Sequence, residues 1–224
     1  MIVRSLKECI IESLLDSEDE VFDGAKESVI SIIKEFLNDN YDIRGSYTVN
    51  ETKGRFIVDI KGSAEVTNKN ITSLTNEFFE FGVVSEDFNC CKCKKLKSLK
   101  GAPKEVGNDF ICPKCNSLKT LEGAPEKIGR DFACPFCDSL KTLEGAPKEV
   151  GKGFYCNYCE SLTSLKGAPK KIGEGFYCDY CESLTSLKGA PKEVGGKFDC
   201  SRCATQFTEE DVKKYTTVSG TILV

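Results

Sequence analysis

A unit of 22 residues recurs from Phe88 onward without insertion or deletion, and no other feature of the chain constrains its fold as strongly. Each unit reads FxCxxCxxLxxLxGAPxxVGxx, with Ile replacing Val in alternate units. The unit begins at Phe88, Phe110, Phe132, Phe154, Phe176 and Phe198. Identical units at a fixed spacing predict a solenoid in which every unit forms the same coil.

A single unit is too short to bury its own apolar residues. Its FxC segment is predicted to be extended, so that Phe and the first Cys share one face. The return path is interrupted at Gly-Ala-Pro and again at the Gly after Val or Ile. Stacked coils therefore form a parallel β array with strands about 4.8 Å apart. The Phe, Cys, Leu and Val positions then make continuous interior ladders.

This unit resembles the leucine-rich repeat, LxLxxN/CxLxxL, in the form with Cys in place of Asn. The resemblance implies an α/β solenoid in which Phe and the first Cys point inward. It also implies that the second Cys turns the chain and bonds to the backbone of neighbouring coils. The departure is Cys, not Leu, at the second strand position. Leucine-rich repeats in general imply partner binding.

The sequence motif SLxGAPKEVG, at residues 98–107 and 186–195, is similar to motifs in repeat proteins of large tailed bacteriophages. Those proteins also resemble this chain in a short helical N-terminal region, a hairpin and a Cys-rich array. The resemblance implies a phage-encoded protein that acts in the cytoplasm of an infected host cell.

We predict four segments along the chain. Residues 1–62 form an N-terminal domain with helices at 5–16 and 20–38, followed by a hairpin of strands 43–49 and 55–60 around Lys53-Gly54. Residues 63–87 form a degenerate capping repeat, residues 88–203 form the repeats, and residues 204–224 form a C-terminal cap.

Both caps have recognisable sequence patterns. In the capping repeat, ITSLTNEFFEFG aligns with LTSLKGAPKEVG at 184–195 but lacks cysteines and GAP; its apolar residues are Ile71, Leu74, Phe78 and Phe81. At the other end, Thr208 and the three acidic residues after it are typical of a helix start. Residues 218–224 are predicted to form a final strand. These segments would cover the open edges of the array.

The residue types that are absent narrow the chemistry. The chain has no His, which excludes every mechanism that needs a histidine base. No phosphate-binding loop, no GxSxG motif and no isolated carboxylate pair stands out from the repeat. We therefore predict a protein that is not an enzyme and has no catalytic residues.

The 14 cysteines leave three interpretations, a structural ladder, a zinc array and an iron–sulfur or redox role. In a chain without an export signal they are expected to stay reduced, so a disulfide framework is disfavoured. Equivalent coils favour a buried structural ladder without metal or other cofactor. The alternative is a zinc array with a nucleic-acid or regulatory role, because the CxxC spacing falls within that of zinc ribbons. Its ligands would be Cys90, Cys93, Cys112, Cys115, Cys134, Cys137, Cys156, Cys159, Cys178, Cys181, Cys200 and Cys203. Cys9 and Cys91 lie outside these pairs.

Residues between the inward positions are predicted to project from the outer, concave face of the sheet. There they form an aromatic patch in coils three to five, with basic groups at its ends. The predicted partner-binding residues are Ile111, Phe136, Tyr155, Tyr158, Tyr177 and Tyr180. Tyrosines among polar residues are favoured at protein interfaces, so the patch predicts protein binding. The alternative is that these residues only cover the sheet.

Charge is unevenly distributed. Residues 1–87 hold 9 Lys/Arg and 18 Asp/Glu, whereas residues 88–203 hold 20 and 14. The basic excess comes mostly from the turns of the return path, which favours a solvated surface. The overall acidity, with a net charge of -4, disfavours nucleic acid as the partner.

The remaining predictions concern location and partner. No apolar run is long enough to cross a bilayer, and residues 1–10 do not resemble a secretory signal, so a cytoplasmic protein without a membrane partner is expected. The function predicted is a non-enzymatic protein–protein interaction module that binds a host or viral protein. Counter-defence against a bacterial immune system is suggested by analogy with phage accessory proteins.

Overall fold

The computed structural model describes residues 19–224, with side chains described at residue 24 and from residue 26 onward. The chain divides into two compact units, Met1–Asn40 and Tyr41–Val224. The first contains helix α1 (Asp19–Asn40), in which Val29, Ile33 and Leu37 are buried at four-residue spacing. This is the helix predicted at 20–38. The helix predicted at 5–16 and Cys9 lie outside the described residues.

The second unit begins with the predicted hairpin. Strands β1 (Tyr41–Thr52) and β2 (Arg55–Val66) pair antiparallel, with Thr52 opposite Arg55. The connecting residues Lys53 and Gly54 have φ values of 54° and 73°. Two residues with positive φ are what a tight type I′ hairpin turn requires.

The rest of the unit is a parallel β-solenoid of about eight turns, which confirms the predicted fold class. Two ladders of short strands run along it. The Phe ladder consists of β4 (Phe88–Asn89), β6 (Phe110–Ile111), β8 (Phe132–Ala133), β10 (Phe154–Tyr155), β12 (Phe176–Tyr177), β14 (Phe198–Asp199) and β16 (Ile222–Leu223). The Val ladder consists of β3 (Phe79–Val84), β5 (Glu105–Val106), β7 (Lys127–Ile128), β9 (Glu149–Val150), β11 (Lys171–Ile172), β13 (Glu193–Val194) and β15 (Thr217–Val218).

Strand β2 belongs to both ladders. Its first half pairs with β3, with Val58 opposite Phe81, and its second half pairs with β4, with Ala64 opposite Phe88. The predicted domain boundary at residue 62 falls inside this strand. The hairpin is therefore continuous with the solenoid, and β2 is the first coil.

The core consists of the apolar positions of the repeat. The Phe residues at the starts of all six units, both Leu positions and the first Cys are buried. Phe rings of successive coils stack, as in Phe110 and Phe132, whose centroids lie 5.5 Å apart at 4°. Burying each Phe or Leu stabilises the fold by roughly 1.5 to 3 kcal/mol, and adjacent coils provide that burial.

The Gly-Ala-Pro turn needs its glycine. Gly123 has a φ of +89°, and a Cβ there would lie 2.3 Å from the backbone nitrogen of Lys100 in the preceding coil. Any other residue at this position would push adjacent coils apart, because the left-handed conformation and the close approach both favour glycine.

Both ends differ from the regular coil. Leu74 takes the position of Leu99, but ten residues separate it from Val84, against seven between Leu99 and Val106. Val84, not Phe81 as the alignment predicts, therefore pairs with Val106. At the other end, helix α2 (Glu209–Lys213) begins at Thr208 with a capping box, as predicted. The predicted final strand is two short strands, β15 and β16, which continue both ladders.

Candidate functional site

The cysteines form two buried ladders. The first Cys of each unit follows the Phe strand, and its backbone N–H donates to the next coil, as from Cys112 to the oxygen of Ala133 at 2.7 Å. The second Cys donates through sulfur to the carbonyl of the first Cys in the preceding coil. These bonds run from Cys115 to Cys90, Cys137 to Cys112, Cys159 to Cys134, Cys181 to Cys156 and Cys203 to Cys178, at 3.2 to 3.4 Å. The bonding to neighbouring coils that the resemblance implies is thus confirmed.

The second cysteines are arranged as hydrogen-bond donors. Zinc binds thiolates, whereas each second Cys here donates its proton to a carbonyl. Burial raises the pKa of Cys93 and of Cys181 to about 12, whereas hydrogen bonds with Cys137 and Cys90 lower that of Cys115. Among residues 19–224, no group of three or more Cys, Asp or Glu side chains converges as metal ligands. The structure shows the cysteines as a hydrogen-bonded ladder, and the zinc array stays the alternative prediction.

The residues before the second Cys adopt a left-handed conformation in every coil. Phe136, Tyr158 and Tyr180 have φ values of 58°, 57° and 54°. They lie in the turn after the strand, and not on the strand as predicted, because this φ reverses the chain between the two inward cysteines. Each is fixed by an intercoil bond, such as that from the backbone nitrogen of Tyr158 to the oxygen of Asp179 at 3.0 Å.

This conformation aligns three rings in a stack, here called the turn ladder: Phe136, Tyr158 and Tyr180. The ring centroids of Phe136 and Tyr158 lie 4.6 Å apart, and those of Tyr158 and Tyr180 lie 4.5 Å apart. Cations close both ends, with Lys114 Nζ 5.4 Å from the Phe136 centroid and the Arg202 guanidinium 4.9 Å from that of Tyr180. Ring faces are therefore covered and ring edges remain available, while the Tyr180 hydroxyl accepts a hydrogen bond from Arg202.

A second stack, here called the strand pair, consists of Tyr155 and Tyr177 on the Phe ladder. Their centroids lie 4.7 Å apart at 1°, and Lys197 Nζ lies 5.4 Å from the Tyr177 centroid. Each ring lies against the glycine two residues before it, since a Cβ on Gly153 would meet the Tyr155 ring at 2.6 Å. Desolvation, with a smaller contribution from Asp131, raises the pKa of Tyr155, so its hydroxyl is a neutral donor.

A buried carboxylate borders the strand pair. Asp199 is 7% exposed and accepts from the backbone nitrogen and hydroxyl of Ser201, while Lys197 lies 2.9 Å away. Burial alone would raise the pKa of Asp199, but the bonds to Lys197 and Ser201 outweigh burial and lower it. Lys197 therefore bridges a fixed negative charge and the face of Tyr177.

The structure brings together five of the six residues predicted to bind a partner. The turn ladder and the strand pair occupy the same three coils, on the outer side of the Phe ladder and its following turn. Ile111 lies in the same row as Tyr155 but two coils away, with Ala133 between them. It lines a cavity of about 100 Å³ beside the hairpin, together with Asp42 and Arg44. We call the turn ladder and strand pair together the aromatic face.

Comparison of the chain with family models, with curated proteins and with solved structures gave no match. Within residues 19–224, no helix combines the length and the apolar character that crossing a membrane requires. The interpretation of the site therefore depends on its geometry and chemistry.

Proposed function

We propose that this protein is a non-enzymatic interaction module that binds another protein through the aromatic face. The observation that carries the proposal is the pair of stacked tyrosine rows held on a hydrogen-bonded array. Tyr offers a large contact area and a hydroxyl while losing little conformational entropy on binding. Rings that are already stacked lose even less, since their orientation is set before the partner arrives.

The covered ring faces favour protein over nucleic acid as the partner. Single-stranded nucleic acid binds by stacking its bases on aromatic faces. In the turn ladder, each face is occupied by another ring or by Lys114 or Arg202. The ring edges that remain suit the apolar side chains and carbonyl groups of a peptide.

The resemblance to phage repeat proteins extends the proposal to the origin of the partner. We place the protein in the cytoplasm of an infected bacterium, with a host or viral protein as its partner. Counter-defence is one role that such binding serves. The aromatic face itself does not depend on this origin.

The proposal is tested by quantitative affinity capture followed by binding of purified components. The wild-type protein and the double variant Tyr158→Ala/Tyr180→Ala are immobilised and exposed to lysate of infected cells. A partner is expected to be enriched by the wild type and lost with the variant. Purified partner should then bind at least tenfold more weakly to the variant, a loss of about 1.4 kcal/mol.

Tyr47→Ala supplies the matched control, because it removes a half-buried tyrosine from the hairpin. It should retain the partner. Circular dichroism must give the same spectrum for all three proteins. Capture that is equal in the wild type and the double variant would reject the aromatic face as the binding site.

A further inference from the structure

A gradient of charge runs along the corner of the solenoid beside the turn ladder. The residue after the second Cys is, in coil order, Lys94, Asn116, Asp138, Glu160 and Glu182. The turn-ladder position is basic on both sides of the rings, with Lys92 and Lys114 before Phe136 and Arg202 after Tyr180. The corner is therefore basic in its first two coils and acidic in the coils that carry the tyrosines.

The charges at the two ends of this gradient are not neutralised within the described chain. Lys94, Glu160 and Glu182 are exposed, and none of them forms an ion pair with another described residue. Some other exposed charges are paired between adjacent coils, as in Lys166 and Glu144, whose Nζ and Oε1 lie 2.7 Å apart. A row of like charges cannot pair along its own ladder, so it stays solvated unless another molecule supplies the opposite charge.

The size of the side chains changes along the same axis. The outer position of the Phe ladder is occupied by Asn89, Ile111 and Ala133 in the first three coils and by Tyr155 and Tyr177 in the next two. The outer side chains are thus small in the coils where the corner is basic and large in the coils where it is acidic.

Phe136 lies at the middle of both gradients. It is the third of the five turn-ladder positions from Lys92 to Tyr180, and it is 39% exposed. Reversing the face about this residue places Lys94 opposite Glu182, Lys92 opposite Tyr180 and Ile111 opposite Tyr155. Charge is then complementary at Lys94 and Glu182, and small side chains face large ones, whereas an unreversed copy would oppose like charges. Asp138 would approach its own copy, and Asn116 Nδ2 donates to its carboxylate.

We infer that the aromatic face pairs with the same face of a second copy, antiparallel, around a two-fold axis at Phe136. Such an interface is isologous, so each contact occurs twice. Five coils at about 4.8 Å each, one strand and turn wide, bury roughly 400 Å² per copy, about half of a standard interface. The dimer is therefore weak, with a Kd on the order of 100 μM. The dimer interface covers the aromatic face, which we propose to be the binding site for another protein. That protein must therefore displace the second copy.

The test is sedimentation equilibrium of the full chain from about 10 μM to about 1 mM, a range that brackets the expected Kd. The wild type should form a dimer that weakens as salt is added. Lys94→Glu and Glu182→Lys should each raise the Kd about tenfold or more. In either variant, residues 94 and 182 carry like charges, and the two-fold axis makes this repulsive contact occur twice. The double variant Lys94→Glu/Glu182→Lys restores both pairs and should return the Kd to within about threefold of the wild type.

Lys148→Glu and Glu126→Lys are the matched controls, since both reverse an exposed charge on the Val-ladder side of the coil and should leave the Kd unchanged. A monomer at every concentration overturns the inference. A dimer that is indifferent to Lys94 and Glu182, or a double variant as weak as the single ones, overturns it as well. Sedimentation uses the purified chain alone. Its outcome therefore does not depend on whether the affinity capture finds a partner protein.

Discussion

The sulfur of Cys115 donates a hydrogen bond to the carbonyl oxygen of Cys90, 3.3 Å away in the preceding coil. The bond closes the turn of one coil onto the strand of its neighbour, and it occurs between five successive pairs of coils. A free thiol fits here because it is small, apolar and still able to donate. The cysteines therefore stabilise the solenoid through hydrogen bonds between adjacent coils.

Replacing Cys137 by Ala should destabilise the protein. The change removes the donor to the carbonyl of Cys112 and leaves a small cavity at a fully buried site. We expect the free energy of unfolding to fall by about 1 to 2 kcal/mol. Urea denaturation in the presence of a reductant measures it.

Cys91→Ala is the control for this change, because Cys91 is half-buried and stands outside the two ladders. It should alter the free energy of unfolding by no more than about 0.5 kcal/mol. Equal losses in Cys137→Ala and Cys91→Ala would contradict a role for the intercoil bonds.

Stability should decrease as the pH rises above neutral. Burial raises the pKa of Cys181 to about 12 in the folded protein. The unfolded thiol ionises near its ordinary pKa of about 8.5, so between these values the folded state binds more protons than the unfolded one. The free energy of unfolding therefore falls by about 1.4 kcal/mol per pH unit for each such thiol. Urea midpoints at about pH 7.5 and pH 9.5 test this, since they lie on either side of the unfolded pKa.

Cys181→Ser isolates one thiol in this experiment. A serine hydroxyl does not ionise in the window, so the variant should lose stability less steeply between the two pH values. An unchanged slope would mean that Cys181 ionises equally in the folded and unfolded states.

Removing metal should leave the fold unchanged. Sulfur-to-carbonyl bonds close the cysteine ladder between coils, and a structural ladder of this kind predicts a fold that does not require zinc. We expect elemental analysis of anaerobically purified protein to give zinc and iron near zero, and a chelator to leave the urea midpoint unchanged. In a parallel thiol titration of the native protein, Cys91 should react first among the described cysteines. Two or three zinc ions per chain, with unfolding by the chelator, would instead support the zinc array.

Gly153→Ala should perturb the aromatic face while preserving the fold. The new Cβ would lie 2.6 to 2.8 Å from atoms of the Tyr155 ring, so the ring must move away from its stack with Tyr177. Binding of the captured partner should weaken about tenfold, as after loss of a contact worth about 1.4 kcal/mol. Binding of purified partner and the circular dichroism spectrum are the two measurements.

Gly129→Ala is the contrasting variant. Its Cβ would lie 1.9 Å from the carbonyl oxygen of Gly107, so backbone and not a side chain would have to move. This variant should lose at least about 2 kcal/mol of stability. Similar unfolding midpoints for Gly153→Ala and Gly129→Ala would contradict the placement of the Tyr155 ring.

The repeat period predicts the interior well, because a residue's position within the 22-residue unit determines whether its side chain is buried. Phe, Cys, Leu and Val recur every 22 residues, and each position faces the core in coil after coil. The hairpin at Lys53-Gly54 and the helix start at Thr208 were also predictable, since both follow from local backbone preferences.

Two features were beyond the sequence pattern. The Val ladder has strands of two residues, such as Glu105–Val106, which are too short to show an alternating pattern. The left-handed turn at Tyr158 carries neither Gly nor Asn, the usual signals for that conformation. The packing of Tyr155 on Gly153 did leave a signal. Gly occurs two residues before Tyr in both coils that have Tyr there, whereas Asp109 precedes Ile111 and Asp131 precedes Ala133.

Strand β2 gives the solenoid a direction of assembly. It pairs with β1 through local contacts and presents edges to both β3 and β4. As the chain leaves the ribosome, the hairpin emerges before any repeat. Each later coil can then pair with the strands of a coil that has already folded. Deletion of whole coils from the C-terminal side should thus leave shorter folded arrays, while loss of the hairpin removes the seed. Duplication of one coil within the gene would lengthen the array without disturbing either end.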